Sequence, residues 1–286
     1  MTVAERLPSY ERPPVIEVLA SVQFDPLPNF NVVHFGLLWQ QFRDSFPIVE
    51  MKPPIPPAVE RLGVRAPLNQ VQVQISDDVG LPRLWFVNKA GDELLQVQAD
   101  RFIRNWRAVP SLEKSYPRYE HYIRPRFVQD YRVFQQFLAT EIGAEAEPNQ
   151  CEITYINHIT PNEHWSSHKD LAAVFRGWNE SYSKAIVQSV EAINLRTVHL
   201  LNDEAGEFVG RLHVILQSVY KSPSQQTAEA DQPVFLLNLT ARGKPMGKGE
   251  KGVLNFLDTG RRAIVTAFDS MTTTEMHRTW GKRYDS

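Results

Sequence analysis

Alternating apolar and polar residues near the N-terminus predict a β-strand. In the segment Val15 to Pro26, every second side chain is apolar, and these side chains are Ile16, Val18, Ala20, Val22 and Phe24. A period of two residues places alternate side chains on opposite faces of a strand. After a proline-rich turn, the apolar residues of segment 32–46 recur at helical spacing instead. The pattern therefore predicts a strand followed by a helix that packs on a sheet.

Three more strand patterns and one long helix pattern complete this first unit. The strands are predicted at Gln70 to Ile75, Leu84 to Asn88 and Leu94 to Asp100. The first of them, QVQVQI, alternates strictly, so its glutamines are expected on the face opposite the core. From Tyr116 to Ile142, aromatic and aliphatic residues recur at helical spacing, and Gly143 is a suitable C-cap.

The order of patterns then begins again at the segment Cys151 to Pro161, CEITYINHITP. Its later elements are a helix at Lys169 to Trp178, strands at Ile193 to Leu200, Arg211 to Tyr220 and Val234 to Arg242, and a helix at Leu254 to Met276. We therefore interpret residues 1–9 as a frayed N-terminal arm. Residues 10–147 and 148–286 form two successive β-α-β-β-β-α units.

Two such units predict an α+β protein with antiparallel sheet and all helices on one side. The units could join edge to edge or face to face, and an edge-to-edge junction would give a saddle similar to the TATA-binding-protein architecture. The open face of that saddle is expected to carry these polar residues: Glu17, Gln23, Gln72, Gln74, Gln96 and Gln98 from the first unit, and Arg196, Arg211, His213, Gln217, Asn238 and Arg242 from the second.

The proline-rich segment 47–57 predicts a stiff crossover between the first helix and the following strands. A rigid connector is the simpler interpretation. The alternative is a polyproline ligand for an aromatic-lined groove.

Composition narrows the functional classes. The 286 residues carry a net charge of -2, which argues against a polybasic protein that coats nucleic acid. The single cysteine excludes an internal disulfide and any multi-cysteine zinc site. No apolar run is long enough to span a bilayer, so we expect a cytoplasmic protein without membrane contact.

Few motifs indicate catalysis. No Gly-x-Ser-x-Gly elbow occurs, and the loop Arg242 to Gly252 lacks the Walker spacing, although its glycines and lysines could hold an anion. Cys151 opens a strand and is expected to be buried. His158, His164 and His168 lie near Glu163 and Asp170 and could bind zinc, but a polar loop that caps a helix is the favoured interpretation. We therefore expect no cofactor and a binding protein rather than an enzyme.

A mixture of arginine and tryptophan in the first unit suggests a second type of site. The residues are Arg83, Trp85, Arg101, Arg104 and Trp106, to which Arg196 and Arg211 of the second unit could add charge. Bases stack on such aromatic rings, and phosphates pair with guanidinium groups. The alternative is that the tryptophans belong to the core and that the arginines pair with nearby carboxylates.

The opening ERPPVIEVLASVQFDPLP, the helix HFGLLWQQFRDSFPIVE with its PPIPP tail, and the ending FDSMTTTEMHRTWGK resemble a sporadically distributed family of prokaryotic proteins. The resemblance touches both ends of the chain and brings no catalytic residue with it. It implies a bacterial or archaeal origin. The patchy distribution of the family implies mobile accessory genes, including defence and toxin-antitoxin systems.

Two functional hypotheses follow. The first is a non-enzymatic adaptor that docks a partner protein through the polar sheet face, at Gln72, Gln74, Gln96 and Gln98, or through the proline-rich crossover. The alternative is a nucleic-acid-binding saddle that uses the arginine and tryptophan residues named above.

Overall fold

A computed structural model of the chain describes residues 7–61, 63–64, 81–112, 115–178, 189–221 and 231–284. The strands are β1 (Pro8–Tyr10), β2 (Val15–Phe24), β3 (Ile48–Lys52), β4 (Arg83–Val87), β5 (Glu93–Gln98), β6 (Arg101–Arg107), β7 (Pro148–Ile159), β8 (Asn194–Asn202), β9 (Phe208–Lys221), β10 (Gln232–Gly243) and β11 (Lys282–Tyr284). The α-helices are α1 (Val32–Phe42), α2 (Arg124–Phe137), α3 (Leu171–Val174), α4 (Gly249–Met271) and α5 (Thr274–Thr279).

Nine of these strands form one antiparallel sheet in the order β3-β4-β5-β6-β2-β7-β10-β9-β8. The first strand of each predicted unit lies at the centre, where β2 pairs antiparallel with β7 and places Val18 beside Tyr155 and Ala20 beside Ile153. The two units therefore join edge to edge in a single sheet. This confirms the predicted α+β class with antiparallel strands, and the arrangement is consistent with a saddle.

Helices α1, α2 and α4 cover one face of the sheet. Phe86 of β4 faces Phe42 of α1, and Phe102 of β6 packs against Phe127 and Phe134 of α2. In the second half, Gly260 brings α4 so close that a Cβ there would lie 2.8 Å from the Ile153 side chain. The apolar residues predicted from the alternating pattern, such as Val18, Val22 and Phe24, are buried under these helices. The opposite face, which we call the polar face, carries the intervening residues of each strand, many of which are polar.

Two strands differ from the prediction. The segment Arg101–Arg107, placed after a strand by the sequence pattern, is itself the strand β6, which pairs with both β5 and β2. Its arginines fall on both faces, and this hides the alternation. The residues Ile48–Lys52, interpreted as crossover, form the edge strand β3 because only the prolines from Pro53 onward prevent ladder bonding. The strand expected at Gln70 to Ile75 lies outside the described residues.

The helical expectations hold with three changes. The helix predicted at Lys169 to Trp178 is reduced to a 3-10 turn at His168–Asp170 and the short helix α3, because Phe175 has an extended backbone and bridges to Thr272. The predicted long helix is α2 with a π-helical segment at each end, Tyr119–Ile123 and Leu138–Ile142. The last helix is broken at Thr272, whose extended backbone separates α4 from α5. Residues Pro8 and Ser9 are not a free arm, because β1 pairs with β11 at the other end of the chain. Among the described residues, none of the helices is sufficiently long and apolar for a membrane span.

Candidate functional site

Four polar side chains form one row across the polar face, perpendicular to four neighbouring strands. Gln98 of β5 lies opposite Arg101 of β6, Arg101 lies opposite Gln23 of β2, and Gln23 lies opposite Gln150 of β7. We call this set the glutamine row. All four side chains are buried, although they lie on the face away from the helices.

The chain buries the glutamine row with its own proline-rich segment, residues 53–61, which we call the strap. The amide group of Gln98 bonds both the N-H and the C=O of Ile55 at 2.9 Å, as a neighbouring strand would. The guanidinium of Arg101 donates to the carbonyl of Pro56 at 3.1 Å. Gln23 accepts from the N-H of Ala58 at 3.0 Å. Successive residues of the strap thus bond side chains on successive strands, first β5, then β6 and then β2.

The proline positions explain how this strap binds. Pro53, Pro54, Pro56 and Pro57 lack an N-H group, so donors remain only at the residues between and after them. Three of the remaining N-H groups, those of Ile55, Ala58 and Glu60, donate hydrogen bonds to the side-chain oxygens of the three glutamines in the row. Between Ile55 and Glu60 the strap crosses from β5 to β7, which is three strand spacings of about 4.8 Å each, or about 14 Å in five residues. A rise of roughly 3 Å per residue is that of a polyproline helix.

The strap ends in a buried group of charges. The Glu60 carboxylate lies 2.6 Å from Nη1 of Arg211 and 2.6 Å from Nε2 of His213. Arg242 lies 3.7 Å from the same carboxylate and pairs with Glu152 at 2.5 Å. Burial raises the pKa of Glu60, but hydrogen bonds from His213 and Arg211 outweigh it and hold the pKa below its ordinary value. The strap is therefore fixed by charge at its end as well as by amide groups along its length.

The outward side of the strap is exposed. Pro53, Pro54, Pro56 and Pro57 all lie on the surface, and Val59 is 51% exposed. Because the backbone bonds point inward and the rings point outward, the strap displays a ridge of prolines on a rigid support.

The glutamines predicted to bind a partner are arranged differently from the expectation. Gln96 and Gln98 lie on the predicted face, but the expectation that they are open to solvent is wrong. Gln98 binds the strap, and Gln96 accepts hydrogen bonds from Arg83 and Trp85 while donating to Asn105. Gln72 and Gln74 lie outside the described residues.

The arginine and tryptophan set is largely internal. Arg101 and Arg211 lie under the strap, whereas Arg104 and Trp106 lie on the opposite, helix-covered face and are also buried. Arg83 and Trp85 remain partly exposed beside Gln96. Arg196 is exposed on the edge strand β8. The structure therefore does not bring these seven residues together on one accessible surface.

The three histidines of the metal hypothesis have separate roles. His168 is buried and contacts the carbonyl of Val234 at 3.2 Å, and His164 lies 3.4 Å from the Glu163 carboxylate at the surface. His158 is half-buried on β7. The Asp170 carboxylate accepts the backbone N-H groups of Ser166 and Ser167, which is the polar-cap alternative. Within the described ranges, no group of three His, Cys, Asp or Glu side chains could hold a metal ion.

Cys151 is fully buried at the start of β7, and burial raises the pKa of its thiol above the ordinary value. We expect native protein to react with 5,5'-dithiobis(2-nitrobenzoate) only as fast as it unfolds, because the thiolate is the reactive form. Stopped-flow absorbance in native buffer and in denaturant measures both rates. Rapid labelling of the folded protein would contradict this placement of Cys151.

Comparisons of the chain with protein-family models, with curated proteins and with solved structures find no match. The resemblance to the sporadically distributed prokaryotic family therefore stays a prediction.

Proposed function

We propose that the protein is a non-enzymatic binding module and that the exposed ridge of its strap docks a partner protein. The observation that supports this most directly is that the strap has one side bonded to the sheet and four prolines on its other side. Polyproline ridges fit grooves lined by aromatic side chains. The proposed partner therefore carries such a groove.

Rigidity favours this binding mode. A free proline-rich peptide must be ordered when it binds, and that ordering reduces affinity. In this chain the glutamine row and Glu60 already hold the backbone, so the partner meets a preformed ligand. Val59, at the end of the ridge, adds an exposed apolar side chain. The family resemblance favours a partner from a prokaryotic defence or toxin-antitoxin system.

The nucleic-acid alternative has less support. Arg101, Arg104, Trp106 and Arg211 already bond or pack within the chain, so four of its seven residues are not available to bases or phosphates.

The proposal predicts position-specific capture of a partner. A photo-crosslinking phenylalanine placed at Val59 in source cells should capture one partner, identified by mass spectrometry. Replacing Pro53, Pro54, Pro56 and Pro57 together by alanine should reduce that capture at least tenfold, because the ridge loses its rings. The synthetic peptide MKPPIPPAV should compete, and a scrambled peptide should not.

A crosslinker at Glu141, which is exposed at the end of the helix that follows α2, is the matched control and should capture nothing. Circular dichroism should show that the alanine variant stays folded, since each Pro to Ala change in a compatible segment costs only about 1 kcal/mol or less. Undiminished capture by the alanine variant would place the docking surface elsewhere.

A further inference from the structure

A cavity of about 740 Å³ lies on the helix side of the sheet, between the β1 region, helix α4 and the segment that leads into α2. This volume is in the range of small-molecule sites. Its wall is apolar over much of its extent and includes Val15, Leu239, Ile264, Val265 and Phe268. Such a wall suits the hydrocarbon or aromatic body of a small ligand. The strap lies on the opposite face of the sheet, so this cavity is separate from the proposed docking ridge.

Three hydrogen-bond donors meet at one part of the cavity wall. The hydroxyl groups of Tyr116 and Tyr155 are 2.8 Å apart, and Arg261 lines the same space. The Nε of Arg261 is buried, and no group in the described part of the chain accepts its hydrogen. Burial raises the pKa of Tyr116 well above its ordinary value and that of Tyr155 to about 12. Both phenols therefore keep their protons at neutral pH. One hydroxyl donates to the other across the 2.8 Å contact, so one O-H of the pair is left to donate to a ligand.

The charges around the cavity do not balance. Among the described residues, three arginines line it, namely Arg118, Arg261 and Arg283, and two carboxylates do so, those of Glu11 and Glu120. Arg261 pairs with Glu120 at 2.8 Å, and Arg283 pairs with Glu11. Arg118 instead approaches the hydroxyl of Ser9 at 3.5 Å and lies over the ring of Tyr116. Within this described lining, the positive charges therefore exceed the negative charges by one, and the excess lies at Arg118.

Arg118 also has an unusual backbone. Its φ of 73° and ψ of 142° lie in a region that normally accommodates only glycine. Arginine at such a position is strained, and strained residues concentrate at ligand sites, where the side chain is needed despite the conformation. The strain here fixes a guanidinium at the edge of the cavity.

We propose that this cavity binds a small monoanion with an apolar body, such as a medium-chain or aromatic carboxylate. The carboxylate accepts the remaining O-H of the hydrogen-bonded Tyr116–Tyr155 pair and meets the guanidinium groups of Arg261 and Arg118. The apolar body lies against Leu239 and the α4 side chains.

Two fluorescent probes test the proposal on the full-length protein. 8-Anilinonaphthalene-1-sulfonate is an anion with an aromatic body, and N-phenyl-1-naphthylamine is its neutral counterpart. We expect saturable 1:1 binding of the anionic probe, measured by fluorescence titration. Decanoate should displace it at a concentration about tenfold or more below that needed for decan-1-ol, because the alcohol lacks the charge. Absence of saturable binding, or equal displacement by both competitors, would overturn the proposal.

Substitutions then locate the site. Arg261→Met should weaken binding of the anionic probe about tenfold or more, the usual effect of losing a charge-assisted hydrogen bond, and leave the neutral probe unchanged. Val265→Trp should abolish binding of both probes by filling the cavity. Arg132→Met, which removes the surface pair with Glu250, is the control and should bind as the unmodified protein does. If Val265→Trp binds both probes normally, the site is not this cavity.

Arg118→Gly separates binding from folding. Glycine adopts the observed backbone without strain, so the midpoint of thermal unfolding should rise by about 2 °C. The affinity for the anionic probe should fall severalfold because the charge is lost. A variant that is more stable and yet binds less well cannot be explained by damage to the fold. Unchanged affinity for the anion would remove Arg118 from the site.

Discussion

Replacing Glu60 by glutamine is expected to release the strap and to raise the rate of tryptic cleavage after Arg61 roughly a hundredfold. Glu60 is the only carboxylate that the described residues place against the buried Arg211, and its loss leaves that charge without a counterion. Breaking a buried ion pair from one side costs about 3 kcal/mol or more. The strap can avoid this cost by detaching, which lets water reach Arg211. Proteolysis of a rapidly opening segment follows the population of its open form.

Limited trypsin digestion followed by mass spectrometry measures this cleavage. Glu50→Gln is the matched control, because Glu50 forms an exposed pair with Lys52 on the neighbouring strand β3 and should change the rate little. Equal cleavage of the Glu60→Gln variant and the unmodified protein would show that Glu60 does not hold the strap.

The same contact predicts a response to acid. The folded-state pKa of Glu60 lies below its ordinary value of 4.5, so its contribution to docking is complete above that pH and is lost as the pH falls through the folded value. Release of the strap in the unmodified protein should therefore begin below about pH 4.5, whereas the Glu60→Gln variant should show no such step. Digestion with pepsin over this range detects the difference.

The substitution Arg104→Met is expected to lower the free energy of unfolding of the whole protein by about 3–5 kcal/mol. The guanidinium of Arg104 is 2% exposed and lies between Glu93 of β5, at 2.8 Å, and Asp130 of α2, at 2.7 Å. Without it, two carboxylates remain buried next to each other, and the remaining cation, Arg126, lowers the pKa of Asp130 less than Arg104 does. The Glu93 and Asp130 side chains are only 11% and 12% exposed, so their uncompensated charges have little access to water.

Urea denaturation at two pH values tests this explanation. Burial raises the pKa of Asp130 even with Arg104 present, so the folded state holds this proton more tightly than the unfolded chain does. In the Arg104→Met variant the folded-state pKa of Asp130 should rise further. The loss in free energy of unfolding should therefore be larger at pH 7, where the carboxylate is ionised, than at pH 5. Arg132→Met, at an exposed pair, should leave the denaturation midpoint unchanged. A deficit independent of pH would indicate lost packing rather than uncompensated charge.

Much of the sheet could be predicted because alternation is a local property. Residues such as Gln23, Gln98, His213 and Arg242 were placed on the correct face from their spacing alone, and β7 was recognised as the counterpart of β2 in the second unit. The register of the strands confirms that assignment of faces. Strand β6 was missed because arginine occurs on both of its faces, so hydrophobicity does not alternate along it.

Exposure could not be predicted in the same way. A polar face is expected to be hydrated unless another segment covers it, and the covering strap lies more than 30 residues before Gln98 in the chain and about 90 residues before Gln150. The spacing of apolar and polar residues along one strand gives no information about such a long-range contact. The sequence did contain one indication of this contact. Backbone N-H donors occur in the strap only where prolines are absent, and the uncharged amide side chains of the sheet can bond such a backbone at a lower desolvation cost than charged side chains. The cavity was missed for the same reason, because Tyr116, Tyr155 and Arg261 are distant in sequence.

The central pairing of β2 with β7 has a consequence for how the chain can be divided. The sequence suggests two units that meet at residue 148, yet the junction in space is a ladder between the innermost strands. Either half produced alone would present its central strand as a bare edge, with unpaired N-H and C=O groups beside an uncovered apolar surface. Such fragments should aggregate separately and reassemble when they are made together. We therefore expect both copies of the duplicated pattern to fold and unfold together as one unit.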